Sequence, residues 1–313
     1  MTTIDMQRRA AREGALIHPR PDLGALLVTG RDRQTWLNGL TTNNLATSKV
    51  GEGVFSLAVG KTGKILAELW LLLGSAHVAL AVAKDRVGML LEHFERHLIM
   101  EDVEIAEAPG RSWISAHGPL AAELVTVARE RGADAAMVDF TGRHDTAALL
   151  APPGEAEALI AALLARVGDR GALATDEGME SLRIEWGVPR FGVDHDDQSL
   201  PQEASLERLA VCFTKGCYLG QEAVFMLEKR GHAKKRLMRL HVEGEDALPA
   251  GAEIALADGT PVGTLSSQTK GPTGGVLGLG YVKFKHAEPE AGVVIAGRQG
   301  KLLGLAGELA KAG

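Results

Sequence analysis

Residues 215–222 read Lys215-Gly216-Cys217-Tyr218-Leu219-Gly220-Gln221-Glu222. Two glycines bracket a cysteine, and a helical pattern begins directly after them. Gln221 to Lys229 reads as a short helix: Glu222 sits in the first turn, Val224 and Leu227 share a face, Lys229 and Arg230 end it and Gly231 caps it. Cys217 therefore falls in a glycine-flanked turn just ahead of a helix N-terminus, two residues from Lys215. The positive helix end and the nearby ammonium both favour thiolate over thiol. A cysteine taken alone is more often a small buried hydrophobe. The glycines weigh against that, because they suit a sharp backbone turn or the close approach of another molecule.

Upstream, Asp176 to Trp186 reads as a helix, with Glu185 between Ile184 and Trp186. A carboxylate in so apolar a setting is partly buried and wants a partner. The competing reading is a surface glutamate on the polar stripe of the helix. Two more helices precede it, Gly118-Pro119 to Ala128 and Glu155 to Val167, with a strand at Trp113 to Ala116. The N-terminal part reads as a helix Arg8–Leu16, a strand Ala25–Thr29 and a helix from Asp32 to Leu40. A strand Val54–Val59 follows, then a hairpin of Ile65–Leu73 and His77–Val82 turning at Gly74-Ser75. A helix Lys84–Leu98 and a strand Val103–Ala106 complete it. That succession is of the α+β class with a mostly antiparallel sheet. From about Leu237 short Val/Ile/Leu runs alternate with turns such as Asp258-Gly259 and Gly274-Gly275, as in an all-β barrel.

With 313 residues, 45% hydrophobic and 24% charged, the chain has ample material for two or three packed domains. Its net charge of -6 gives no global field toward DNA, RNA or anionic membrane, and aromatics at 4% leave few base-stacking platforms. The two cysteines, Cys212 and Cys217, are too few for a disulfide scaffold. No signal-peptide pattern opens the chain. The most apolar stretch, from Ile65, is broken by Glu68, His77 and Lys84 before it could span a membrane. A cytoplasmic protein, monomeric and without direct DNA or membrane contact, is expected.

Three further patterns point to bland readings. Gly60-Lys61-Thr62-Gly63-Lys64 lacks the leading glycine of a phosphate loop, Phe55 standing there, and reads as a hairpin turn. Gly278-Leu279-Gly280 lacks the third glycine of a dinucleotide fingerprint and reads as a barrel strand. Asp194-His195-Asp196-Asp197 reads as a solvated turn, so no metal site is expected. Lys229, Arg230, Lys234, Lys235 and Arg236 gather around His232. They read either as a solvated connection into the barrel or as a local anion site.

The octapeptide resembles the signature of the YgfZ family, Lys-Gly-Cys-Phe/Tyr, a variable residue, then Gly-Gln-Glu. Leu182-Arg183-Ile184-Glu185-Trp186-Gly187-Val188-Pro189-Arg190-Phe191-Gly192-Val193-Asp194 and Leu200-Pro201-Gln202-Glu203-Ala204 resemble the family's segment upstream of it. Trp36-Leu37-Asn38-Gly39-Leu40-Thr41-Thr42-Asn43 resembles its N-terminal motif, and the Gly-rich tail its terminal barrel.

The resemblance implies an α+β, three-domain cloverleaf of the aminomethyltransferase folate-binding type. Residues 1–49 with 108–237 would form a discontinuous folate-binding domain, 50–107 an inserted α+β domain, and 238–313 a C-terminal β-barrel. It implies tetrahydrofolate or another reduced folate as cofactor, and iron–sulfur client or assembly proteins as partners, with any effect on tRNA modification indirect. Cys217 would be the functional thiol, and Glu185, Lys215, Gln221 and Arg190 would contribute to the folate site. The pterin edge presents an N–H and an amino group side by side, which a carboxylate accepts in a fork. Glu185 matches the glutamate that holds the pterin in the folate-binding relatives.

Aminomethyltransferases share this fold, but their motif has a pair of aspartates where this chain reads Gly63-Lys64-Ile65-Leu66-Ala67-Glu68-Leu69. Ala67 cannot act as a base, and Glu68 is one methylene longer. A non-catalytic folate-binding scaffold is the remaining alternative. Whatever the role, one cysteine cannot hold an iron–sulfur cluster that wants about four ligands.

Overall fold

A computed structural model of the chain describes residues 3–308, the side chain of Arg230 excepted. The chain divides into two compact units. One comprises Met1–Val59, Leu66–Met179 and Thr214–Leu219; the other comprises Gly60–Ile65, Glu180–Phe213 and Gly220–Gly313. Among the described residues no helix is long and apolar enough to cross a membrane.

The first unit contains two five-stranded sheets. One runs Gly171–Leu173, Ala15–Arg20, Ser112–His117, Thr146–Ala151, Asp134–Met137; only its first pair is parallel. Side chains alternate across it. Ile114, Ala116 and Leu149 face the helices Ala121–Glu130 and Ala156–Val167, which meet them with Leu124, Ala128 and Leu163. Each large aliphatic side chain so buried stabilises the fold by roughly 1.5–3 kcal/mol. The opposite face carries Trp113, Ser115 and His117. Trp113 meets Trp70 of the second sheet edge-on at 6.2 Å, and Trp70 stacks on Phe140 at 4.3 Å. Register places His18 opposite Ser115, and Ser115 Oγ lies 2.9 Å from His117 Nε2 in the buried layer. Burial holds His117 well below the usual imidazole range. His18 is lowered to about 4 by burial and then by the Arg20 charge.

The second sheet runs Gly53–Val59, Ile65–Leu73, Val78–Ala83, Leu23–Thr29, Glu104–Glu107. Leu23–Thr29 pairs with both Val78–Ala83 and Glu104–Glu107, so one strand of this sheet comes from ahead of residue 50. Helices Arg33–Leu40 and Val87–Glu95 cover it with Trp36, Leu37, Leu40, Leu90 and Phe94.

In the second unit six strands close a barrel in the order Lys235–Val242, Val276–Lys283, Pro261–Lys270, Glu253–Ala255, Gly292–Ile295, Arg298–Leu305. Gly278-Leu279-Gly280 is one of its strands. A Cβ on Gly280 would lie 2.7 Å from Ile254 Cδ1 and 2.9 Å from Thr264 O, so glycine lets the barrel close around its small core.

Several elements differ from their sequence reading. The first helix is Thr3–Glu13, and Leu16 already belongs to the strand Ala15–Arg20. Asp134–Met137, Thr146–Ala151 and Gly171–Leu173 were not legible as strands, being short or alanine-rich with weak β preference. Gly60–Lys64 is the expected turn, closed by Gly60 N to Lys64 O at 2.9 Å.

Candidate functional site

Lys215 and Cys217 belong to the first unit; Glu185, Arg190 and Gln221 belong to the second. Each group is described within its own unit.

The helix Arg33–Leu40 ends in orphan carbonyls, as every helix does. Thr41 Oγ1 bonds Leu37 O at 2.9 Å. Lys215 and Leu219 bond further carbonyls at and just past the helix end. The Lys215 ammonium donates to Asn38 O at 2.6 Å, and to Thr41 O and Asn43 O at 2.7 Å each. Leu219 N donates to Gly39 O at 2.9 Å. An ammonium has three protons, and three carbonyls receive them. The charge also sits at the negative end of a helix, where a cation is favoured. The accepting segment is itself rigid. Asn43 Nδ2 bonds Phe55 O at 2.8 Å, and Asn38 Oδ1 accepts from Leu45 N at 2.9 Å. Lys215 is thus buried, at 9% exposure, and Tyr218 beside it is buried, with the ammonium 5.1 Å over its ring.

Cys217, between these two fixed residues, is exposed, whereas Cys212 is half-buried. The flanking glycines differ in role. Gly220 has φ +78°, a left-handed conformation that favours glycine, and is the N-cap of the helix Gln221–Arg230. Gly216 has no such φ and open space where a Cβ would stand, so a molecule can come close to the backbone beside the thiol. Gly231 is the C-cap of that helix, as expected, in an extended conformation.

In the second unit, Glu185 lies near the end of the helix Asp176–Trp186, half-buried between the buried Ile184 and Trp186. Gly187 terminates the helix at φ +76°, and a Cβ there would lie 2.3 Å from Arg239 Cδ. Arg239 fixes the turn by donating to Glu185 O at 3.2 Å. One turn earlier, buried Arg183 donates to Val188 O at 3.1 Å and Asp194 Oδ2 at 2.7 Å, and pairs with Glu180. Asp194 has a side chain 0% exposed and also accepts from Ser266 Oγ at 2.6 Å and Ser267 Oγ at 2.7 Å. The expected solvated turn 194–197 therefore opens with a buried carboxylate that ties the segment to the barrel, and His195 is buried too. Among the described residues no group of three or more His, Cys, Asp or Glu is placed to hold a metal. Arg190 is exposed and pairs with Glu180 at 2.9 Å. Gln221 is the first residue of its helix, half-buried. That helix is held by Gln202 Nε2, which donates to Val224 O at 2.8 Å.

Sequence reasoning missed the carbonyl cradle, because its acceptors are backbone atoms that no side-chain pattern announces. It also missed the Arg183–Asp194 pair, although both ends lie in the segment singled out.

Comparison with known proteins follows the same lines. Residues 234–304 match the family described as CAF17, C-terminal beta-barrel domain. An aminomethyltransferase of Chloroherpeton thalassium is 24% identical, over 93% of this chain and 86% of its own. The tRNA-modifying protein YgfZ of Hamiltonella defensa is 26% identical, over 69% of this chain and 67% of its own. The crystal structure of the glycine cleavage system aminomethyltransferase T from Bartonella henselae superposes with a TM-score of 0.82 at 19% identity, covering 97% of this chain and 90% of that one. The fold is thus that of the aminomethyltransferase T-protein, with mixed α and β content and a closed six-stranded C-terminal barrel. The chain is thus similar along most of its length to aminomethyltransferases and to YgfZ proteins, and its last strands match the CAF17 C-terminal barrel.

Proposed function

We propose that the protein binds a reduced folate and serves the assembly or repair of iron–sulfur proteins in the cytoplasm, through the thiol of Cys217. The observation that carries this reading is the exposed Cys217, set between the buried Lys215 and Tyr218. A thiol kept for packing would be buried; this one is presented.

The residues fit a folate. Glu185 keeps part of its surface accessible on a helix turn otherwise buried, a setting in which a carboxylate accepts a fork of two N–H donors. Arg190, exposed and tied only by a surface ion pair, is suited to the carboxylates of a folate tail. Gln221 offers an amide at the start of its helix. Lys215 enters this reading differently from its neighbours: its three protons are directed at carbonyls, so it positions the loop rather than touching the ligand. Bound folate would supply a one-carbon carrier; the chain supplies orientation and a thiol. A single cysteine acts on iron–sulfur proteins as a transient ligand, a redox group or a nucleophile, and not as the seat of a cluster. Effects on tRNA modification, the activity in the name of one relative, would then be indirect, through an iron–sulfur client.

The aminomethyltransferase activity named for other relatives is disfavoured by Ala67. Its methyl packs in the core of the second sheet, at 2% exposure, and offers no base.

The test is a strain lacking the protein, scored for iron–sulfur enzyme activities and complemented with wild type or Cys217→Ser. Rescue by wild type alone supports the reading. Equal rescue by the serine variant at equal protein level leaves a folate-binding scaffold instead.

A further inference from the structure

Strands Lys235–Val242 and Val276–Lys283 pair antiparallel, with Lys235 opposite Lys283. The pairing continues past the strand ends, where Phe284 N donates to Lys234 O at 3.0 Å. Register therefore sets Lys234-Lys235 beside Lys283-Phe284-Lys285-His286, a basic run distant in sequence. Lys234, Lys283, Phe284 and Lys285 are exposed, and Lys235 is half-buried. Among the described residues no carboxylate forms an ion pair with these four lysines. Lys283 gives a proton to Pro261 O at 2.9 Å, and Lys235 lies 3.8 Å over the Tyr281 ring. Arg236 drops out of the patch, because it is paired with the buried Glu207. The Arg230 side chain lies outside the described part of the structure.

Rings are interleaved with these cations. His232 stacks on Phe284 at 3.8 Å and an interplanar angle of 2°. The two rings cover each other's inner faces, yet Phe284 remains 39% exposed and His232 is exposed as well. The stack therefore keeps aromatic surface open to solvent among the ammonium groups. Asp196 and Asp258 lie within electrostatic reach of Lys235 and His286, so the field is positive without being uniform.

We propose that this end of the barrel binds single-stranded nucleic acid, the lysines taking phosphates and the His232–Phe284 stack taking a base. Cations alone would serve any polyanion. The exposed parallel ring pair is what selects a ligand with planar groups, since every base has a face to stack on an aromatic platform. Because the whole chain carries -6, attraction is local and must be salt-sensitive. None of the residues assigned to folate or to the thiol is used, so either reading can fail alone.

Fluorescence anisotropy of a short labelled oligouridylate, titrated with the full chain, tests this. Wild type should bind at low salt, with a slope of log K against log salt of roughly -3 for about four phosphate contacts. Lys234→Glu combined with Lys285→Glu should weaken binding by about a hundredfold or more. Phe284→Ala should weaken it by about tenfold with little change in the salt slope, and Phe284→Tyr should retain it. Arg31→Glu, an equal charge change at an exposed site of the first unit, should change nothing. Thermal melts run alongside show whether each variant is folded, and Phe284→Leu, apolar but without a face to stack on, carries the stacking test with the same expected loss if the alanine variant is not. Absence of wild-type binding at low salt overturns the proposal. So does binding of a polyglutamate of equal charge as tightly as the oligonucleotide, with Phe284→Ala and Phe284→Leu like wild type; that result makes the patch a dock for acidic proteins.

Discussion

The Lys215 ammonium lies 2.7 Å from the carbonyl oxygen of Thr41, and that bond joins two motifs that are far apart in the chain. The segment Trp36–Asn43 ends a helix with unsatisfied carbonyls, and Lys215 caps them. The exposed thiol two residues on is held by the same lysine.

Lys215→Met should therefore destabilise the protein by about 3–5 kcal/mol, since it takes the donor from three carbonyls, of which that of Thr41 is buried. Urea denaturation measures the loss, and amide exchange should speed up in residues 38–45 and 214–219 together. Lys215→Arg should not restore it, because a planar fork cannot aim three N–H groups at oxygens converging on one point. Wild-type stability in the methionine variant would show that the clamp contributes nothing.

The two cysteines should separate in an iodoacetamide time course read by peptide mass spectrometry. Cys217 is exposed and Cys212 only half so, hence Cys217 should label first in the native protein, and both at similar rates in urea. Protection of Cys217 by tetrahydrofolate would tie thiol and ligand together. Faster labelling of Cys212 would remove Cys217 from its assigned role.

Stability should fall on acidification below neutral pH. His18 and His117 are held neutral by burial, so the unfolded chain binds more protons than the folded one as pH drops. Their contribution is complete above about pH 6.5 and declines toward the folded value, which for His18 is about 4. His18 alone accounts for roughly 3 kcal/mol across that window, with Asp176, 3.9 Å away, already offsetting part of the cost. Urea midpoints compared between about pH 7.5 and about pH 4.5 should show the decline, and His18→Leu should make it shallower, leaving the part due to His117. A flat wild-type profile would contradict the assignment.

Much of this was legible in the sequence because the signals were local. The helix Asp176–Trp186 has the bounds its periodicity indicates, and the strand Ile65–Leu73 runs as a continuous apolar stretch. Glycine spacing marked the barrel. What stayed hidden was non-local. Strand pairing alone sets Lys235 against Lys283, and only the folded chain shows Asp194 buried against Arg183. The alanine-rich strand Thr146–Ala151 gave no propensity signal, since its burial comes from the sheet it joins.

A reconstituted glycine-cleavage assay should show no release of methylene-tetrahydrofolate from an aminomethylated carrier protein. Ala67 is a core methyl and cannot take a proton. Robust turnover would place the protein among the aminomethyltransferases after all.

The central claim is that this chain holds a reduced folate through Glu185. Isothermal titration calorimetry of tetrahydrofolate into wild type and Glu185→Gln tests it most directly. The amide keeps the size of the side chain but replaces one acceptor with a donor, so the fork to the pterin is broken. Wild type should bind at micromolar or weaker affinity, and the variant should bind at least about tenfold more weakly with an unchanged melting temperature. Equal affinities in the two proteins, or no heat of binding in wild type, would contradict the account.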